Sequence, residues 1–154
     1  MKVTGSLSAE TEVCVPASEA WDIYGSGKVV GVVVPKLFKQ IDVVSGDGSP
    51  GTILEVTFHP GGPPTYQEII HTVDNEKMVK EIDIYKGGFL DQGFNLFRIR
   101  WDIIAKDEKS CIVKLTLILD IKEESMANLS HVSIVPFVGM MTTVNNYLIE
   151  NHKD

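Results

Sequence analysis

The chain has 154 residues, 44% of them apolar and 23% charged. These are ordinary values for a folded protein and exclude intrinsic disorder; at ~100–200 residues per domain, the length predicts one domain over residues 1–154. Fourteen Lys and Arg against twenty-one Asp and Glu leave a formal charge of −7, a field that repels phosphate backbones and anionic bilayers, so neither nucleic acid nor membrane is an expected partner.

Residues 3–15 alternate apolar and polar and read as a strand that Pro16 stops. Ser18 is a candidate N-cap for a short helix carrying Ala20, Trp21, Ile23 and Tyr24, which Gly25-Ser26-Gly27 ends. A second short helix is expected over 28–33, although its valines and Gly31 favour helix poorly. From residue 37 the pattern turns to strands: one through Phe38, Ile41, Val43 and Val44, then Thr52 to Phe58, Tyr66 to Val73, Val79 to Tyr85, Phe94 to Ile104 and Cys111 to Ile121. Between them lie loops at 46–51 and 59–64, a turn at Asp74–Lys77, a break at Gly87-Gly88 and a turn at Lys106–Lys109.

At the C-terminus the period changes. Leu129, Val132, Val135, Val138, Met141, Val144 and Leu148 recur every three or four residues, a helical stripe that Pro136 should kink or restart. Strands joined by short turns form an antiparallel sheet, and a helix with one apolar stripe must lay it on that sheet. The expected class is therefore α+β, a helix grip: a curved sheet wrapped round one long helix, with space between them.

Cys14 and Cys111 make no disulfide framework and no zinc spacing, and are expected as small buried hydrophobes. The four histidines, His59, His71, His131 and His152, have no metal-ligand spacing. The first six residues lack the apolar core of a signal peptide, and the run Val29–Val34 is too short to span a bilayer, so the cytosol is the expected compartment. The loop Gly46-Asp47-Gly48-Ser49-Pro50-Gly51 lies between two strands and lacks a following Gly-Lys-Ser/Thr, so it reads as a tight connection rather than a phosphate cradle.

Tyr66, Glu68 and Ile70 share one strand face. A turn centred near Glu76 pairs residue 72 with residue 80 and brings Lys80 to that face, roughly 13 Å along the strand from Glu68. A one-residue slip would put Lys80 outside. Read alone, Glu68 and Lys80 would be solvent-facing hairpin residues, since charged side chains are seldom buried.

The element order, the loop Gly46–Thr52 and the stretch Gly87-Gly88-Phe89-Leu90-Asp91-Gln92-Gly93 resemble the plant birch-pollen-allergen type, the pathogenesis-related class-ten proteins, over about residues 3–150. The nearest subgroup is that of norcoclaurine-synthase-like proteins, with phytohormone-binding proteins next. The synthases carry a tyrosine and a glutamate two residues apart, then a turn of Val-Asp-Asn type, then a lysine. The matches here are Tyr66, Glu68, Val73-Asp74-Asn75-Glu76 and Lys80, while Ile99 stands where the synthases have an aspartate.

The resemblance implies a START-like fold of seven antiparallel strands, two short supporting helices and a large apolar cavity. It implies a Pictet–Spengler condensation of a dopamine-like phenethylamine with a phenylacetaldehyde, needing neither metal nor cofactor. Lys80 would serve the carbonyl and dehydration steps, Glu68 would take the ring proton, and Tyr66 would orient the substrate. The alternative is binding of a phytohormone or other hydrophobic metabolite, such as a cytokinin, gibberellin or flavonoid, without reaction. Either way the partner is a small hydrophobic or aromatic molecule held by a monomer or weak dimer. Val34, Phe38, Phe58, Ile70, Phe89, Phe97, Ile99, Phe137 and Met141 are the candidate cavity lining.

Overall fold

A computed structural model describes residues 1–153. The strands are β1 (Lys2–Val13), β2 (Gln40–Ser45), β3 (Ile53–Thr57), β4 (Tyr66–Asp74), β5 (Val79–Lys86), β6 (Phe94–Asp107) and β7 (Ser110–Lys122). The helices are α1 (Ala17–Tyr24), α2 (Lys28–Val33) and α3 (Val135–Asn151), with 3-10 segments at Gly88–Gln92 and Glu123–His131. The seven strands form one antiparallel sheet in the order β1-β7-β6-β5-β4-β3-β2, so the two ends of the strand series become its edges. The expected helix-grip class with its seven strands, two short helices and long C-terminal helix is what the chain forms.

The inner face of the sheet carries the core. Phe97, Ile99, Trp101 and Ile103 of β6 pair with Leu119, Leu117, Leu115 and Val113 of β7, and all are buried. Period-2 alternation sends every second side chain to this face. The outer face carries ions instead. Arg98 donates two hydrogen bonds to Asp83 at 2.7 and 2.9 Å, and Arg100 bridges Asp102 and Glu81. Helix α1 is fastened to α3 by Tyr24, whose buried hydroxyl donates to Asn145 Oδ1 at 2.7 Å and lies 3.2 Å from the Met141 carbonyl oxygen.

Several sequence expectations are corrected. Pro16, not Ser18, is the N-cap of α1, and no side chain caps it; proline's fixed φ starts the helix one turn position earlier. Phe38 precedes β2 rather than lying in it. Cys14 is exposed, because inward-facing Val13 pairs with buried Cys111 and the next residue turns outward. The apolar stripe from Leu129 is not one helix. Residues 123–131 wind as a 3-10 segment, Val132 is extended, and α3 restarts with Pro136 in its first turn. Val135 is consequently 71% exposed, and the buried stripe of α3 is Met141, Val144, Asn145 and Leu148. No single helix is long and apolar enough to cross a membrane.

Candidate functional site

Between the sheet and α3 lies a cavity of about 600 Å³. Strands β3 to β6 give it Val56, Tyr66, Glu68, Ile82, Ile84, Ile99 and Trp101; α3 gives Pro136, Phe137 and Met140. Phe38, Phe58, Pro63 and Pro64 form one rim, and the two 3-10 segments bring Phe89, Asp91, Gln92 and His131 to another. Aromatic rings run along the wall: Phe38 on Phe58 at 5.5 Å, Phe58 on Tyr66 at 5.8 Å, and Phe89 stacked on Phe97 at 4.4 Å. Such a concave, mostly apolar space with few polar groups is what a small organic ligand requires.

Of the nine predicted lining residues, Phe38, Phe58, Phe89, Ile99 and Phe137 border the cavity. The other four do not, for separate reasons. Phe97 is fully buried beneath Phe89, which takes the cavity position. Ile70 is buried one inward step past Glu68. Val34 closes the end of α2 and packs on the core. Met141 belongs to the buried stripe of α3, whereas Met140 lies with Phe137 on the cavity side, three residues apart on one helix face.

The polar groups of the inner wall sit on β4 and β5. Tyr66 and Glu68 point the same way from β4, and the Tyr66 hydroxyl donates to Glu68 Oε2 at 3.4 Å. Burial pushes the Glu68 carboxyl from 4.5 up to about 7, against the opposing pull of Lys80 and the Tyr66 hydrogen bond. Burial likewise holds the Lys80 ammonium below its usual value, with Glu68 pulling it back up. The Tyr66 phenol is raised by burial and by the neighbouring carboxylate.

Lys80 reaches the inner face by a different register from the one expected. It pairs with Val73, not residue 72. That slip would have turned it outward, but β4 carries one extra residue, His71, between the pairs Ile70–Ile82 and Thr72–Glu81. The bulge restores the parity. Glu81 then points outward to Thr72 and Arg100, and Lys80 points inward at 5% exposure. His71 itself is exposed, as its strand parity predicts. Its ammonium forms no hydrogen bond or ion pair with any described residue.

The rim holds residues that sequence reasoning missed. His131 Nδ1 lies 2.5 Å from Gln92 Oε1, and Asn128 Nδ2 donates to the Gln92 carbonyl at 2.7 Å, joining the two 3-10 segments. Only the long-range fold brings them together. Trp101 was findable, since it has the strand parity of Phe97 and Ile99. The glycine loop does not face the cavity with free donors. The N–H groups of Gly48, Ser49, Gly51 and Thr52 bond to Thr52 Oγ1, Asp47 Oδ1, the Ile70 carbonyl and the Ser49 carbonyl. At Gly46, φ is +106°, and a Cβ would sit 2.6 Å from Thr52 Oγ1. Among the described residues no group of three or more His, Cys, Asp or Glu could hold a metal ion.

The model of one protein family matches residues 2–151: the pathogenesis-related protein Bet v 1 family. The chain belongs to that family. Among characterised Bet v 1 relatives, norbelladine synthase of Narcissus pseudonarcissus is 34% identical over 95% of this chain and 93% of that protein. S-norcoclaurine synthase 1 of Papaver somniferum is 29% identical over 94% of this chain, which spans 65% of that protein's length. Among solved Bet v 1-type structures, norcoclaurine synthase from Thalictrum flavum in complex with dopamine and hydroxybenzaldehyde superposes with a TM-score of 0.87, at 26% identity over 99% of this chain and 91% of that one.

Proposed function

We propose that this chain condenses an arylethylamine of dopamine type with an aromatic aldehyde inside the cavity, by proton transfer at Glu68. The observation that carries the reading is the Glu68 carboxyl, hydrogen-bonded to Tyr66 on the inner wall of a mostly apolar cavity and raised by burial to about 7. A group that is half protonated near neutral pH can act both as acid and as base.

The amine nitrogen adds to the aldehyde carbon and gives a carbinolamine. Protonated Glu68 gives its proton to the carbinolamine oxygen, which leaves as water, and an iminium remains beside the new carboxylate. That carboxylate balances the iminium charge. The electron-rich ring carbon then bonds to the iminium carbon, and Glu68 takes the proton that the ring carbon sheds. Glu68 ends as it began, and the balance is amine plus aldehyde to cyclic amine plus water. Tyr66, hydrogen-bonded to Glu68 and bordering the same space, orients a substrate oxygen. The relatives that are synthases, and one solved with an amine and an aldehyde bound, support the same chemistry.

The test is a chiral product assay with dopamine and 4-hydroxyphenylacetaldehyde, run beside Glu68→Gln and a protein-free control. The expected result is one enantiomer, with the rate reduced about 10²–10⁴-fold in the variant. Racemate at the protein-free rate would make the protein a carrier of small hydrophobic molecules, and ligand-induced rises in melting temperature would then identify its cargo.

A further inference from the structure

We propose that His131 is a specificity-determining residue, whose Nε2 accepts a hydrogen bond from a hydroxyl on the ring of the aldehyde. The inference rests on the proposed reaction and names what that reaction selects in one of its two substrates.

The reaction divides the cavity between them. The amine's ring must lie at Glu68, because that carboxylate takes the proton its carbon sheds. The aldehyde carbon bonds there too, but the aryl group behind it carries no reacting atom and extends away along the remaining space. Two rims can receive it. Phe38, Phe58, Pro63 and Pro64 offer apolar side chains, whereas Asp91, Gln92 and His131 offer polar ones. A hydroxyl taken out of water needs a partner, and the second rim supplies it.

That rim is within reach of the chemistry. The segment Gly88–Gln92 starts on Tyr66: a Cβ at Gly88 would sit 3.6 Å from Tyr66 Cβ and Cγ. Its 3-10 winding then carries the chain roughly 8 Å to Gln92, at about 2 Å per residue. This is comparable to the length of a phenylacetaldehyde from its carbonyl carbon to a para oxygen.

Of the polar groups there, His131 is the one fixed in place. Its Nδ1 bonds Gln92 Oε1, an atom that can only accept, so Nδ1 carries the proton. Gln92 is itself held through its carbonyl by Asn128 Nδ2. In the uncharged ring Nε2 is then a bare acceptor, and it bonds no described residue. Asp91 is exposed and bonds no described residue, so nothing fixes the direction of its carboxylate. The Ser133 hydroxyl already accepts from the Val135 N–H at 3.2 Å. An acceptor held from behind needs little further ordering when a ligand arrives, and this favours it over its neighbours.

The experiment is a competition. Dopamine is offered 4-hydroxyphenylacetaldehyde and phenylacetaldehyde together, and the product ratio gives the ratio of their kcat/KM values. Wild type should favour the hydroxylated aldehyde about three- to tenfold over the protein-free ratio, the range of one neutral hydrogen bond. Two substitutions separate the ring nitrogens. His131→Asn keeps a donor for Gln92 near the Nδ1 position and loses the acceptor at Nε2, so the ratio should fall to the protein-free value. His131→Gln places an amide near the Nε2 position and should keep most of the preference, and Asp91→Asn should keep all of it. Absence of any preference in wild type would overturn the proposal. So would the reverse order, with the preference kept in His131→Asn and lost in His131→Gln, which would leave His131 only a latch between the two 3-10 segments. Loss of the preference in Asp91→Asn would overturn it too, by making that carboxylate the partner.

If wild type forms no product above the protein-free rate, the proposed reaction fails and binding decides the inference. The alcohols 2-(4-hydroxyphenyl)ethanol and 2-phenylethanol cannot condense, and each is titrated calorimetrically into wild type and His131→Asn. Tighter binding of the hydroxylated alcohol that is lost in the variant would uphold His131 as the selecting residue. Equal affinities in wild type would overturn it.

Discussion

A carboxyl on an apolar wall costs stability whenever it is charged, and this cost can be measured without any substrate. Glu68 holds its proton up to about pH 7 in the folded chain but only to its ordinary 4.5 when unfolded. Between those values the folded state is the better proton binder. The stability this contributes is complete below pH 4.5 and is lost as pH rises through 7. The gap of about 2.5 pH units is worth about 3 kcal/mol by pH 8, and under about 1 kcal/mol at pH 5. The pull of Lys80 is already included, since the raised value is net of it.

Glu68→Gln removes the ionisation and keeps an oxygen for the Tyr66 hydroxyl. The variant should therefore unfold at higher temperature than wild type at pH 8, by roughly 6–12 °C for a chain of this size, with the difference shrinking to a few degrees at pH 5. Thermal unfolding followed by circular dichroism every half pH unit from 4.5 to 8.5 reads this directly. Two melting curves that run parallel across the range would refute the argument, for they would show that Glu68 is as well solvated as a surface carboxylate. The same variant should lose condensation activity, so stability and activity are expected to move in opposite directions.

Ile99→Asp restores the acid that the resemblance leads one to expect, but between Ile82 and Leu117 on a buried wall. It should cost about 3 kcal/mol or more at pH 8 and distinctly less at pH 5, seen as urea midpoints that converge on acidification. Tyr24→Phe strands the buried Asn145 oxygen and should cost about 1–3 kcal/mol in the same measurement. Gly93→Ala meets both a φ of +91° and a Cβ 2.1 Å from Ser125 Oγ. It should cost roughly 1–3 kcal/mol, and adding Ser125→Gly should recover only the part due to the clash, which equal midpoints for the two variants would disprove.

Most of the sheet was legible because β-forming runs alternate over much of their length and their turns are marked by glycine, proline and aspartate. Two parts were not. The segment 129–135 has helical spacing by coincidence of Leu129, Val132 and Val135, while local 3-10 winding and Pro136 decide where α3 begins. At the site, Tyr66 and Glu68 followed from parity on one strand. The inward turn of Lys80 depends on an unpaired His71, and nothing in Ile70-His71-Thr72 marks an extra residue. The rim residues Asp91, Gln92 and His131 come from segments far apart in the chain, so local pattern holds no trace of their meeting.

The bulge at His71 has an evolutionary corollary. Glu68 and Lys80 are twelve positions apart, and it is this count, more than the identity of what lies between, that sets them on one side of the sheet. The stretch 69–79 is then a ruler. Substitution can rewrite its letters wherever packing allows, but an inserted or deleted residue must be taken up by a bulge, as at His71, or by the turn between β4 and β5, or it turns Lys80 away from the face of Glu68.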